Sequence, residues 1–216
     1  MQEHHLTVPR TARYYTLGEP GPAVRQVWVV CHGYGQLAGR FVRHFEPIED
    51  ASRLIVAPEG LSRFYLDSGM HERVGATWMT REDRLADIAD YVRYLDALHA
   101  AVFRQLDRAS VQLVVLGFSQ GVATAARWVA RGIRAERLVA WGGVLPPELD
   151  LTGLRDVFAR TRLTIVYGTT DDYITPKIAA QEEAKLRAAK IPFDIRTFDG
   201  GHDVQAAALR AVAEGS

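Results

Sequence analysis

Short runs of apolar, often β-branched residues alternate along the chain with segments whose apolar residues recur at helical spacing. Six of these runs have the length and composition of buried strands. They are RQVWVVC (25–31), RLIVAPE (53–59), VQLVVLG (111–117), RLVAWGG (137–143), RLTIVYG (162–168) and FDIRTFD (193–199). Near-continuous apolar strands are typical of a sheet that is buried on both faces. The segment ARYYTLG near the N-terminus predicts an additional, antiparallel edge strand.

Helical patterns lie between these strands. The longest begins near Arg81 and carries one apolar stripe, from Leu85 to Leu106, which predicts a helix that covers a sheet face. Further helices are predicted from about 119 to 131, 176 to 189 and 203 to 213. The irregular segment 144–158 is interpreted as containing a short helix. Strands that alternate with helices predict an α/β fold with a mostly parallel, doubly wound sheet.

Residues 60–80 interrupt this alternation. Their sequence, GLSRFYLDSGMHERVGATWMT, is rich in glycine and aromatic residues and lies between a strand and the long helix. We interpret it as an active-site loop at the carboxyl end of a strand, where open α/β sheets bind ligands. Its bulky side chains are expected to wall a shallow substrate pocket: Phe64, Tyr65, Leu66, Met70, Trp78 and Met79. Alternatively, some of them, Trp78 especially, only pack the start of the long helix.

Length and composition narrow the function classes. A chain of 216 residues fits a single α/β domain over 1–216. Basic and acidic residues both number 26, and the absence of a basic block argues against nucleic acid and anionic membranes as partners. The sequence shows neither a membrane-length apolar run nor a secretory signal, so a cytoplasmic location is expected. The single cysteine, Cys31, is interpreted as a buried structural thiol, and no metal-ligand spacing is found.

The stretch VVLGFSQGVATAA (114–126) carries the strongest chemical pattern. A serine on a sharp turn between a strand and a helix presents its hydroxyl at the top of the sheet and at a helix N-terminus. Residues two positions on either side must then be small, because the tight turn brings them against neighbouring backbone. Gly117 and Gly121 meet this requirement, so Ser119 is the predicted nucleophile, although a glycine-flanked turn with a capping serine is the structural alternative.

A serine nucleophile needs a base, and the base needs an orienting acid. In this architecture, the acid and then the histidine follow the serine, each on a loop after a strand. His202 follows the last strand behind two glycines and is the predicted base. His32 also follows a strand, but we interpret it as a structural ring that fixes its loop.

The acid is predicted in the segment GTTDDYITP, which follows the strand that ends near Gly168. Two aspartates are adjacent there, and only one can point at the imidazole. Asp171 is favoured over Asp172 because its spacing, three residues after Gly168 and three before Ile174, resembles that of the acid loop in hydrolases of this architecture. Asp199 is a further alternative, although a residue in that position more often caps its own turn.

Acyl transfer also requires N–H donors directed at the developing oxyanion. One donor is expected to be the backbone N–H of Gln120, the residue after the nucleophile. The second is expected from the segment HGYGQLAG after the first long strand, where Gly33 and Gly35 allow the backbone to turn inward. The backbone N–H of Tyr34 is the best placed of these.

The segments HGYGQ, GFSQG, GTTDDYITP and GGH together resemble the phospholipase/carboxylesterase group of α/β hydrolases, which includes acyl-protein thioesterases and small bacterial carboxylesterases. The resemblance extends from about Val27 to His202. It implies an α/β-hydrolase fold without a large cap domain and without a cofactor. It also implies a triad of Ser119, Asp171 and His202, with oxyanion donors at Tyr34 and Gln120.

Two departures from the group's pattern concern the substrate. Its thioesterase and lysophospholipase members usually have aspartate where this chain has Gln36, and another glycine where it has Val122. The leading hypothesis is a serine carboxylesterase, because the three catalytic residue types occur in the expected order at strand ends. The bulky side chains of 60–80, with no room for a large cap, favour small, short-acyl esters as its substrates. The alternatives are a thioesterase or lysophospholipase with the same triad, and a non-catalytic binding module that keeps the fold. The sequence does not predict an oligomeric state.

Overall fold

The computed structural model describes residues 1–67, 69 and 72–215. The strands in this part of the chain are β1 (Tyr14–Leu17), β2 (Gln26–Cys31), β3 (Arg53–Pro58), β4 (Ser62–Tyr65), β5 (Val74–Thr77), β6 (Gln112–Phe118), β7 (Arg137–Trp141), β8 (Arg162–Gly168) and β9 (Phe193–Phe198). The α-helices are α1 (Ala38–Phe41), α2 (Arg84–Val102), α3 (Gln120–Ala130), α4 (Arg155–Arg160), α5 (Pro176–Ala188) and α6 (Ala206–Glu214). A 3₁₀ helix, Val42–Ile48, follows α1.

Seven strands form the main sheet, in the order β1-β3-β2-β6-β7-β8-β9. Strand β1 runs antiparallel to β3, and all other neighbours in this sheet are parallel. The structure therefore confirms the mostly parallel sheet and its antiparallel edge strand. Near the centre, Val27 of β2 lies opposite Leu54 of β3 on one side and Leu113 of β6 on the other.

The hydrophobic core has two layers, one on each face of the main sheet. Successive residues of a strand point to opposite faces, so Val29 and Val115 join one layer, whereas Trp28 and Val114 join the other. Helices α2 and α3 cover the first layer, and the 3₁₀ helix and α6 cover the second. Burial on both faces explains why the parallel strands read as continuous apolar runs in the sequence.

The 60–80 segment differs from the irregular loop that the sequence predicted. Strands β4 and β5 form a separate antiparallel hairpin, with Ser62 opposite Thr77 and Tyr65 opposite Val74. The strands are four residues long, too short for an alternating pattern to stand out. Helix α1 and the 3₁₀ helix were also not predicted, because both are short and Pro47 interrupts the second.

The carboxyl ends of the central parallel strands lie along one edge of the sheet, and the predicted site residues follow them directly. Residues 33–36 follow β2, Ser119 follows β6, Asp171 follows β8 and His202 follows β9. The described residues form no large cap over this edge. Within the described ranges, no helix is both long and apolar enough to cross a membrane.

Candidate active site

Ser119 sits in a strained turn between β6 and α3. Its backbone angles are φ 53° and ψ −117°, a conformation that costs free energy for a residue with a side chain. The backbone N–H of Ser119 donates to the carbonyl of Trp141 at 2.9 Å, which ties the turn to the neighbouring strand β7. The serine lies at the N-terminus of α3, where the helix dipole favours negative charge.

The two glycines beside this serine are required by close backbone contacts. A Cβ at Gly117 would lie 2.2 Å from the carbonyl oxygen of Gly121, and a Cβ at Gly121 would lie 2.1 Å from that of Cys31. Neither contact can be relieved by moving a flexible side chain, since both involve backbone atoms. The spacing that suggested a sharp strand-to-helix turn thus has a steric basis in the structure.

Asp171 and His202 form a hydrogen-bonded pair at the ends of β8 and β9. Oδ2 of Asp171 lies 2.8 Å from Nδ1 of His202, while Oδ1 accepts the N–H groups of Tyr173 at 2.8 Å and Ile174 at 2.9 Å. Burial opposes ionisation of Asp171, but these hydrogen bonds outweigh it and hold its pKa below the usual value. The neighbouring Asp172 is exposed.

The pairing fixes which nitrogen of His202 carries the proton. An ionised carboxylate can only accept a hydrogen bond, so Nδ1 donates to Asp171, and in the neutral ring Nε2 is the nitrogen with the lone pair. The imidazole packs near the ring of Phe118 at 4.9 Å and near the exposed ring of Tyr173 at 4.6 Å between centroids. The ring of His202 thus has a defined orientation.

Contacts at two glycines show that the serine, the histidine and the 33–36 turn share one small region. A Cβ at Gly33 would lie 3.2 Å from Cβ of Ser119, and a Cβ at Gly142 would lie 3.2 Å from Cε1 of His202. Both positions also lie within 3.2 Å of the Phe118 ring. Gly142 adopts a φ of 61°, so glycine is favoured there on backbone grounds as well.

Most of the backbone N–H groups in the 33–36 turn donate hydrogen bonds within the protein. The N–H of Gly33 donates to Oε1 of Gln36 at 2.8 Å, that of Gly35 to the carbonyl of Ala76 at 2.9 Å, and that of Gln36 to the carbonyl of Gly33 at 3.2 Å. Among the described residues, the N–H of Tyr34 has no hydrogen-bond acceptor. The turn therefore leaves one N–H donor available, in the residue after Gly33, which lies against Ser119.

His32 lies buried beneath this turn. Its Nδ1 is 2.8 Å from the carbonyl oxygen of Gly33, and its Nε2 accepts the N–H of Gly60 at 2.9 Å. Because an acceptor nitrogen carries no proton, the ring is neutral and donates from Nδ1. Burial lowers the pKa of His32, and this effect outweighs the hydrogen bond to Gly33 and the charge of Glu59, which both raise it. This placement agrees with a structural histidine that fixes its loop.

The predicted pocket residues are placed in different environments. The ring of Phe64 is half-buried and packs 5.1 Å from that of Tyr34, and Tyr65 is exposed. Leu66 approaches Gly35, where a Cβ would lie 3.1 Å from its Cδ2. Met79 is half-buried, with its sulfur 3.5 Å from Nη1 of an arginine in α3. Met70 lies outside the described residues.

Trp78 does not wall a pocket, and that expectation is wrong. Its side chain is 2% exposed, and Nε1 donates to the carbonyl of His32 at 2.8 Å. Its ring packs against His32 and against Tyr91 of α2. A tryptophan in the core cannot line a surface pocket, so the alternative interpretation, packing against the long helix, is the correct one.

Several site residues were missed from sequence. Phe118 and Tyr173 contact the imidazole, Gly142 makes room for it, and the side chain of Gln36 holds the 33–36 turn. The glycine pair at 142–143, directly after a strand, was a usable signal for a close approach. The rings carried no such signal, because only the tertiary fold brings them to His202.

The described residues offer little to a metal ion. One group, Glu3, His5 and Asp83, gathers three potential ligand atoms within 4.8 Å, but all three residues are exposed. His5 and Asp83 are already 2.9 Å apart and pair with each other. Cys31 is buried, and burial raises the pKa of its thiol, which makes it unreactive as a nucleophile or ligand.

Comparison with protein families agrees with this geometry. The family model described as Phospholipase/Carboxylesterase matches residues 14–214. None of the curated protein sequences matches the chain significantly.

Solved structures of similar fold cover nearly the whole chain. The Zea mays acyl-protein thioesterase 2 has a TM-score of 0.72 at 18% identity, with 95% of this chain and 97% of that chain covered. Esterase PE8 has a TM-score of 0.65 at 20% identity, with 95% of this chain and 98% of that chain covered. The Bacillus cereus carboxylesterase has a TM-score of 0.67 at 15% identity, with 94% of this chain and 92% of that chain covered. At such identities the likeness establishes the fold alone, and it confirms the predicted α/β-hydrolase fold.

Proposed function

The chain belongs to the phospholipase/carboxylesterase family, and on that premise we propose that it is a serine carboxylesterase that hydrolyses small, short-acyl carboxylic esters. Family membership by itself supports a hydrolase of the esterase type. The observation that carries the finer proposal is the Asp171–His202 pair beside the strained turn of Ser119. The reaction would proceed through an acyl-serine intermediate and without a cofactor.

In the first half of the reaction, Oγ of Ser119 attacks the ester carbonyl while Nε2 of His202 takes the hydroxyl proton. Asp171 stabilises the imidazolium that forms. The protonated His202 then gives its proton to the departing alcohol, and the acyl group stays on the serine. In the second half, His202 takes a proton from water while the water oxygen attacks the acyl-serine carbonyl. The bond between the acyl carbon and Oγ then breaks, His202 returns the proton to Oγ of Ser119, and the acid leaves.

Two backbone N–H groups are proposed to stabilise the oxyanion. The N–H of Tyr34 is the donor in the 33–36 turn that has no acceptor among the described residues, and Gly33 beside it lies against Ser119. The N–H of Gln120 begins α3, where the helix N-terminus favours negative charge. Each such donor typically lowers the barrier by about 3 kcal/mol.

The surface around Ser119 supports a small acyl group. Tyr34 and Phe64 pack together at 5.1 Å, and Leu66 lies against Gly35, so bulky side chains stand close to the proposed oxyanion donors. On the alcohol side, the exposed ring of Tyr173 lies over His202, the residue that protonates the leaving group. An acyl site crowded by these side chains should accept few methylenes.

A fluorophosphonate probe tests the mechanism, because only an activated serine reacts with it. Purified protein should be labelled at Ser119 and not at Ser110, which lies just before the opposite end of β6. An unlabelled, inactive protein would contradict the proposal and favour a binding module with this fold.

A series of p-nitrophenyl esters from acetate to palmitate, below micelle-forming concentrations, tests the substrate size. Each buried methylene is worth about 0.8 kcal/mol, so an open pocket would show kcat/KM rising steadily with acyl length. We expect a maximum at acetate or butyrate. A maximum at octanoate or longer would contradict the short-acyl proposal and favour a thioesterase or lysophospholipase.

A further inference from the structure

Strand β5 of the small hairpin is joined directly to the 33–36 turn. The carbonyl of Ala76 accepts the N–H of Gly35 at 2.9 Å, and the N–H of Ala76 donates to the carbonyl of Gln36 at 3.2 Å. The contact is close enough that a Cβ at Gly75 would lie 2.5 Å from the carbonyl oxygen of Gly35. The turn that holds the Tyr34 N–H therefore takes its position partly from β5.

The end of the same strand is held by the side chain of Gln120. Oε1 of Gln120 accepts the N–H of Trp78 at 3.2 Å, and Nε2 donates to the carbonyl of Met79 at 3.0 Å and to the hydroxyl of Thr77 at 2.9 Å. A backbone N–H can only donate and a carbonyl can only accept, so these partners define the orientation of the amide. The side chain thus forms hydrogen bonds to three successive residues, Thr77, Trp78 and Met79.

These contacts connect the two proposed oxyanion donors through one strand. Gln120 supplies one donor from its backbone and grips the end of β5 with its side chain. Strand β5 in turn holds the turn that supplies the other donor, Tyr34. We infer that the Gln120 side chain is a positioning residue that sets the Tyr34 N–H relative to Ser119, an inference that rests on the proposed function.

Gln120→Met tests this role, because methionine has nearly the same length but neither an amide donor nor an amide acceptor. Misplacing a catalytic group by about 1 Å can cost on the order of 100-fold, so kcat should fall about 10- to 100-fold, with KM changed less than about threefold. Gln112→Met, at an exposed glutamine that begins β6, is the matched control and should leave both constants unchanged.

The readout that separates positioning from simple destabilisation is inhibition by a trifluoromethyl ketone, which binds serine hydrolases as a tetrahedral oxyanion. Its Ki should rise in Gln120→Met by the same factor by which kcat/KM falls, while titration with the fluorophosphonate still gives one labelled serine per chain. A loss explained by a smaller titrated fraction, or a rise in KM alone, would overturn the inference.

A measurement without catalysis keeps the inference distinct from the proposed function. Hydrogen exchange at the amides of Gly35 and Ala76 should accelerate in Gln120→Met and not in Gln112→Met. Unchanged exchange together with unchanged kcat, in a wild-type protein that is labelled and active, would overturn the positioning role alone. A wild-type protein that neither reacts with the probe nor hydrolyses esters would overturn both. Should Gln120→Met fail to fold, Gln120→Glu keeps the acceptor for Trp78 and loses the donor to Met79.

Discussion

The two halves of the candidate site are built in different ways. In the acid–base half, Asp171 and His202 lie on loops of adjacent strands in the main sheet, and the aspartate takes its other hydrogen bonds from residues two and three positions away. In the oxyanion half, the 33–36 turn depends on Ala76, some 40 residues further along the chain and in a separate small sheet. Bonds within one loop and between neighbouring strands of the main sheet define the first half, and contacts with a separate sheet define the second.

Removing the hydroxyl of Ser119 should make both halves of the site ineffective in catalysis. This is the largest effect that we expect. Ser119→Ala should lower kcat on the order of 10⁶-fold if the triad acts as a unit. The control is Ser110→Ala, since Ser110 is exposed and only donates to a nearby carbonyl. Steady-state hydrolysis of p-nitrophenyl acetate measures both, and esterase activity that survives in Ser119→Ala would refute the covalent mechanism.

The acid–base half can be disrupted without changing its shape. Asp171→Asn should cost on the order of 10⁴-fold in kcat, because an amide there favours the wrong imidazole tautomer. The adjacent Asp172→Asn provides a matched comparison, since Asp172 is exposed, and it should behave nearly as wild type. If Asp172→Asn were the crippled variant instead, the acid would have to be reassigned.

The contrast between the halves also explains what the sequence could predict. The strained turn of Ser119, the acid loop and the glycines before His202 are short patterns that can be recognised from residues only a few positions apart. The main sheet was equally readable, because strands buried on both faces form continuous apolar runs. These features required no knowledge of distant contacts.

The oxyanion half lacked such local patterns. Strands β4 and β5 have four residues each. Their hairpin supports the 33–36 turn through distant contacts, such as the close approach of Gly75 to Gly35 and the hydrogen bond from Gln120 to Met79. Trp78 illustrates the same limit, because an aromatic residue near the nucleophile can wall a pocket or fill the core. Its hydrogen bond to the His32 carbonyl decides between these, and no spacing in the sequence predicts that bond.

A smaller effect should distinguish the alcohol side of the site from its acyl side. Tyr173→Ala removes the exposed ring that packs 4.6 Å from His202, and aromatic contacts of this kind are worth roughly 1 kcal/mol. We expect kcat/KM for phenyl acetate to fall severalfold and that for ethyl acetate to change little. An equal loss for both esters would indicate that Tyr173 orients the imidazole and does not contact the leaving group.

The smallest effect concerns acid, which should weaken the two halves in different pH ranges. Burial lowers the pKa of His32 below the ordinary value of 6.5, so below about pH 6.5 the unfolded chain binds a proton that the folded protein excludes. The free energy of unfolding should therefore decrease with acid from that point, by at most about 1.4 kcal/mol per pH unit. The lowered pKa of Asp171 acts later, since its stabilising contribution is complete above the usual value of 3.8 and is lost only at lower pH.

Urea unfolding of wild type and His32→Asn between pH 8 and pH 4.5 measures the contribution of the oxyanion half. Asparagine can place an amide donor near the position of Nδ1, so the bond to the Gly33 carbonyl can be kept, but it does not titrate. We expect His32→Asn to be less stable at pH 8 and to lose less stability on acidification than wild type. The control His4→Asn, at an exposed histidine near the N-terminus, should keep the wild-type slope. Equal slopes in all three proteins would show that titration of His32 does not contribute to the loss of stability in acid.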